Sequence, residues 1–203
     1  MRTEKSPVRA LLPWIGLTVA VLTPLALASM SPLLQWRGPV YIASGFAGIL
    51  AMGLMLVQPV LVAGYLPRLG PIIGRRVHRY VGGCLVLAVV AHVAGLWITS
   101  PPDVIDVLLF RSPTPFSVWG ALAMWALFAA AGLAVLRMRV RVPLRLWRRG
   151  HVTLTLVAVG GTIAHVLLIE GTMETVSKVA LSVLLGVIVA KAVRDLKIWS
   201  LRR

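Results

Sequence analysis

Six apolar runs, each long enough to cross a hydrocarbon layer about 30 Å thick, constrain this chain more than any other feature. They cover Ala10 to Met30, Val40 to Leu66, Val77 to Thr99, Phe116 to Leu136, Leu146 to Ile169 and Val176 to Val193. Hydrophobic residues make up 59% of the sequence and charged residues 13%, with a mean hydropathy of +0.90. So little polar surface cannot cover a water-soluble core of this length. The expected fold class is all-α: a polytopic membrane protein whose six transmembrane helices form one integral membrane domain over residues 1–203.

The opening Met1-Arg2-Thr3-Glu4-Lys5 and the run ending at Ala26-Leu27-Ala28-Ser29 have some marks of a cleavable signal peptide, but the apolar stretch is too long for its core, so a first span is expected. Pro59, beside Gln58, is expected to kink the second segment, because proline lacks the amide hydrogen and clashes with the preceding turn. Cys84, the lone cysteine, lies inside the third segment and reads as a small buried hydrophobe. Trp14, Trp36, Trp97, Trp119, Trp147 and Trp199, with Tyr41, Tyr65 and Tyr80, fall near segment ends as an aromatic belt requires.

Charge is distributed unevenly about these spans. With six crossings, both termini share a side with the connections after the second and fourth segments, and that side holds eighteen of the twenty-one Lys and Arg residues. One such connection carries Arg68, Arg75, Arg76 and Arg79; the other carries Arg137, Arg139, Arg141, Arg145, Arg148 and Arg149. The opposite side has only Arg37, Arg111 and Lys178, together with the acidic Asp103, Asp106, Glu170 and Glu174. This bias places both termini in the cytoplasm and the chain in the cytoplasmic (inner) membrane. Basic helix ends facing anionic lipid also account for the net charge of +15, so no nucleic-acid partner is expected.

All four histidines fall into two matched pairs. Arg75-Arg76-Val77-His78 is followed after thirteen residues by His92, and Arg148-Arg149-Gly150-His151 after thirteen residues by His165. Fourteen helical steps leave the second ring only about 40° short of whole turns and about 21 Å along the axis. Each pair therefore shares a helix face and puts one imidazole towards each membrane surface. Because the third and fifth segments run in the same direction, His78 should be level with His151 and His92 with His165.

An ionisable residue inside a span is costly enough to be read as functional. Two imidazoles per level, without Asp, Glu or Cys, make a poor zinc or di-iron site, since those recruit three or four protein ligands or carboxylates. They suit a haem, whose macrocycle supplies four equatorial nitrogens and leaves two axial positions to the protein. Two b-type haems are expected, with His78, His92, His151 and His165 as both cofactor-binding residues and metal ligands. No Cys-x-x-Cys-His occurs for covalent attachment. Gly82, Gly83, Gly160 and Gly161 in these segments are candidates for close helix packing or for seating a flat macrocycle. The arginines beside His78 and His151 are candidate partners for propionates at the inner level, and Arg111 is the nearby candidate at the outer level.

Six spans with His78-x13-His92 in the third and His151-x13-His165 in the fifth resemble the ferric-reductase-like transmembrane domain shared by NADPH oxidases and the haem-binding subunit of the bacterial methionine-sulfoxide reductase system. The resemblance covers most of residues 40–193. It implies transmembrane electron transfer through two stacked b haems, the inner on His78 and His151, the outer on His92 and His165. The chain would be the membrane component of a ferric-reductase-like oxidoreductase, an iron-bearing cytochrome b, with no catalytic residue of its own assigned.

No soluble flavin or nicotinamide domain is expected within residues 1–203, so a flavin would enter only through a partner or a weak site. The expected partners are membrane lipid and a separate electron donor, a flavoprotein or a quinol, on the cytoplasmic side. The alternative is a non-redox transporter or scaffold whose histidines pack or relay protons, but it lacks mid-membrane carboxylates and paired broken helices. The connection from Ser100 to Pro115 mixes prolines with apolar residues and is expected to fold back onto the membrane surface, where it could lid the outer level.

Overall fold

A computed structural model describes residues 7–137, 139 and 141–197 of the chain. Prolines set most of the helix starts. Pro39, Pro71, Pro101 and Pro115 each occupy the first turn of a helix, where the missing N–H has no intrahelical acceptor to lose and the fixed φ is already helical. The elements in order are α1 (Pro7–Ser29), a short 3₁₀ turn (Pro32–Leu34), α2 (Pro39–Val62), α3 (Pro71–Thr99), α4 (Pro101–Leu108), α5 (Pro115–Leu136), α6 (Leu144–Leu168) and α7 (Thr175–Asp195).

Six of these, all but α4, are long and apolar enough to cross a membrane. No strand occurs among the described residues, so the protein is an all-helical bundle of the polytopic membrane kind. Its outer surface agrees with that setting. Ile72, Leu87, Val135, Val183 and Val187 are all at least 60% exposed. Placing many such side chains in water, at about 1.5–3 kcal/mol each, would exceed a net stability of about 5–15 kcal/mol, so lipid must face them.

Two ends differ from the apolar runs. The second run continues to Leu66, yet α2 stops at Val62, because Gly64 takes a left-handed conformation (φ 69°) that a side chain would strain. Its N–H and that of Tyr65 then close back on the carbonyls of Leu61 and Val60, a Schellman motif. The third helix starts at Pro71, six residues before the apolar run, so Arg75, Arg76 and Arg79 ride on its first turns rather than in a loop. Pro59 is accommodated one turn before the end of α2.

The bundle is built from two hairpins, α2 along α3 and α5 along α6, with α1 and α7 packed against them. The core joins Met52 and Leu56 of α2, Leu85 and Ala88 of α3, Val159 of α6, and Leu181, Leu185 and Val189 of α7. Close approaches within each hairpin rely on glycine. A Cβ on Gly161 would lie 2.9 Å from the Trp119 carbonyl oxygen, and one on Gly74 would lie 3.0 Å from that of Leu61.

One end of the bundle gathers the start of α1, the α2–α3 connection, the start of α6 and the end of α7. Trp14 Nε1 donates to the Pro67 carbonyl (3.2 Å), Tyr65 donates to Asp195 (2.7 Å), and Arg148 donates to the Leu196 carbonyl (2.7 Å). This is the basic end. Trp199, like the terminal Arg2, Lys5, Arg202 and Arg203, lies outside the described residues. At the far end, α4 forms within the Ser100–Pro115 connection and buries Val104 against the bundle. Cys84, expected to be buried, is exposed on α3.

Candidate functional site

Helices α3 and α6 carry two histidines each, and every one of these rings is directed at the first helix of its own hairpin. His92 Nδ1 lies 2.7 Å from the Ser44 carbonyl oxygen on α2, and His165 Nδ1 lies 2.9 Å from that of Phe116 on α5. His151 Nδ1 is 3.1 Å from the Ala130 carbonyl oxygen on α5. A carbonyl only accepts, so Nδ1 carries the proton in all three rings and Nε2 keeps its lone pair. That is the tautomer a metal ligand needs.

His78 is held by Gln58 of α2, whose backbone and side-chain amide both face its ring. In one orientation the Gln58 amide nitrogen donates to Nδ1 and to the His78 carbonyl oxygen (3.2 Å), while the amide oxygen accepts from the Gly82 N–H (2.8 Å). The reverse orientation would set the amide oxygen against the His78 carbonyl and the amide nitrogen against the Gly82 N–H. A metal on Nε2 requires a proton on Nδ1, and the Gln58 main chain beside the ring is the group that could take it up.

The two hairpins repeat this arrangement in register. The residues that hold the rings, Ser44 and Gln58 on α2, correspond to Phe116 and Ala130 on α5, each 72 positions later. The histidines themselves are displaced by 73 positions, His78 to His151 and His92 to His165. Gly48 and Gly120, again 72 apart, leave room for the far-end rings: a Cβ there would lie 3.0 Å from His92 Nδ1 and 2.7 Å from His165 Nδ1.

The structure pairs the rings by level. His78 and His151 lie on the basic-end halves of α3 and α6, and His92 and His165 on the far-end halves. Both far-end rings line one apolar cavity of about 240 Å³, whose walls include Met52, Met124 and Phe116. Val107 and Leu108 of α4 close part of it, so the Ser100–Pro115 connection does cover this level. Midway between the histidines of each helix lies a buried residue, Leu85 on α3 and Ala158 on α6, so packed side chains separate the two levels. Among the described residues, no three His, Cys, Asp or Glu side chains come together.

At the basic end, Trp147 stacks on His151 (ring centroids 5.4 Å apart, planes 10° apart), and its Nε1 donates to the Leu133 carbonyl (3.0 Å). A belt residue by sequence, it also fixes the plane of a candidate ligand. Arg75, Arg76, Arg79 and Arg148 are exposed, and Arg148 is engaged with α7.

Two expectations need correction. Gly83 and Gly160 do not seat anything between the histidines: on the helix they point about 140° and 180° away from the histidine at the basic end, and both are exposed with nothing near them. Gly161 packs against α5, and Gly82 faces Gln58. The glycines that matter to the rings, Gly48 and Gly120, lie on the opposing helices, where no periodicity within α3 or α6 could reveal them. Arg111 is exposed and does not line the far-end cavity, whereas Lys178 does.

Comparison with family models, curated proteins and solved structures finds no match to this chain.

Proposed function

We propose that this protein carries electrons across the membrane through two b-type haems, each held by one histidine from α3 and one from α6. The observation that carries the reading is the paired, in-register geometry of the four imidazoles. In three of them Nδ1 is fixed on a neighbouring helix carbonyl, which leaves Nε2 as the free nitrogen. His78 and His151 would hold the haem at the basic end, and His92 and His165 the haem at the far end. Membership of the ferric-reductase-like family belongs to the same proposal and rests on the four-histidine pattern.

The donor set fits the group. Two neutral imidazoles per level supply two axial ligands and nothing more, which suits a macrocycle that brings its own equatorial nitrogens. A haem so bound would take up and pass on single electrons at its iron. The chain's own residues orient and enclose it. Ser44, Phe116 and Ala130 set the ring tautomers, Gly48 and Gly120 let the far-end rings sit close to α2 and α5, and the aliphatic walls and α4 exclude water from that level. With His78, His151, His92 and His165 holding the haems, the chain would supply electron transfer to a separate acceptor. The basic end, which the charge bias would put in the cytoplasm, would meet a flavoprotein or quinol donor.

An absorption spectrum of the purified protein tests this. Sharp haem bands that respond to dithionite, with two haems per chain, are expected. A colourless protein that stays colourless after haem is supplied would overturn the proposal and favour a scaffold or transporter.

A further inference from the structure

The cavity between His92 and His165 has one basic side chain in its wall. Lys178, one turn inside α7, is 7% exposed and lines the same space as both histidines. Its Nζ donates to the main-chain carbonyl of Ile169. An ammonium has three donors to satisfy, and among the described residues no carboxylate lies within ion-pair distance of it.

The acids nearest in sequence do not neutralise it. Glu170 is exposed, near enough for its charge to be felt but not paired. Glu174 is four residues before Lys178, a spacing that pairs opposite charges on a helix. Its carboxylate instead caps α7, accepting from the Ser177 N–H (3.2 Å) and hydroxyl. The start of a helix also carries positive partial charge, which disfavours a cation. A buried ammonium under these conditions points to an anion that arrives from outside the chain.

We infer that Lys178 is the counter-charge for a carboxylate carried by the molecule that fills the far-end cavity. On the reading proposed above, on which this identification rests, that carboxylate is a propionate of the far-end haem. A small carboxylic acid or fatty acid would present the same chemistry to Nζ.

The test uses haem-free full-length protein with His78→Ala, so that only the far-end site is scored, combined with Lys178→Met or Lys178→Arg. Each variant is titrated with protohaem IX and with its dimethyl ester, and Soret absorbance gives the affinities. Helical circular dichroism and a single gel-filtration peak establish that each variant is folded. With Lys178 present, the free acid should bind about ten-fold or more tightly than the ester. Lys178→Met should abolish that preference while ester binding stays the same, and Lys178→Arg should keep it. A preference that survives in Lys178→Met overturns the inference while leaving the haem reading intact.

If neither haem binds, the haem reading fails by itself, and the second arm decides about Lys178. Palmitate and acetate are titrated into the same proteins and followed by calorimetry. Binding that disappears in Lys178→Met keeps the carboxylate site with a different occupant. No binding of either overturns it.

Discussion

The imidazole of His165 occupies the space that a side chain on Gly120 would need: a Cβ on that glycine would lie 2.7 Å from Nδ1. The ring reaches the Phe116 carbonyl, one turn earlier on α5, only because Gly120 has no side chain. His92 uses Gly48 and Ser44 of α2 in the same way.

Gly120→Val should therefore displace His165 from its carbonyl, release the tautomer and, if the proposed haem occupies the far end, weaken its binding by about ten-fold to a hundred-fold. Gly48→Val should do the same through His92. Gly83→Val, where a Cβ meets nothing within 4 Å, should leave both haems in place. Haem content by pyridine haemochrome, read for the three variants side by side, checks this; equal losses in all three would show that the glycines act through general stability.

The level pairing has its own signature. His92→Ala and His165→Ala should each remove the same redox component and spare the other, while His78→Ala and His151→Ala form the second matched pair. A potentiometric titration that resolves two haem components reads the pattern. Loss of one component by His78 and His92 together would rule out ligation across the two helices.

Gln58 sets both its main chain and its side-chain amide against a histidine, whereas Ser44, Phe116 and Ala130 reach theirs through main-chain carbonyls. If His78 holds the proposed basic-end haem, Gln58→Leu should remove the amide that helps to fix its ring and lower occupancy of that site about ten-fold. Gln58→Glu, which can only accept from Nδ1–H when ionised, should restore binding. If Gln58→Leu binds haem as well as the parent protein, the amide has no part in fixing the ring.

Charge placement predicts orientation. A reporter active only outside the cytoplasm should be silent when fused after Arg203 and active when inserted beside Asp103. The reverse pattern would exchange every inner and outer assignment.

The electron source is the last point to test. A hydride donor gives two electrons and a haem accepts one, so a flavin or an equivalent converter stands between them. Among the described residues there is no strand, and hence no strand, glycine-rich turn and helix to hold a dinucleotide. The haem-loaded protein should stay oxidised on mixing with NADPH and become reduced once a flavoprotein reductase or a quinol is added. Stopped-flow absorbance of the haem bands is the measurement, and rapid reduction by NADPH alone would disprove the need for a partner.

Much of this architecture was legible along the chain. A span needs only length and hydrophobicity, both local properties, so six crossings could be counted directly, although a third run counted from Val77 misses the basic turns that α3 adds from Pro71. The fourteen-residue step between histidines, with 3.6 residues per turn, likewise puts each pair on one face before any packing is known. The register of α2 against α3 and of α5 against α6 is a different matter. It depends on which small residues let two helices approach, and it alone brings Ser44 to His92, Phe116 to His165 and Gly120 beneath a ring. The isolation of Lys178 was hidden for the same reason. Its spacing from Glu174 suggests an ion pair, and only the folded start of α7, where that carboxylate turns back to cap the helix, leaves the ammonium facing the cavity.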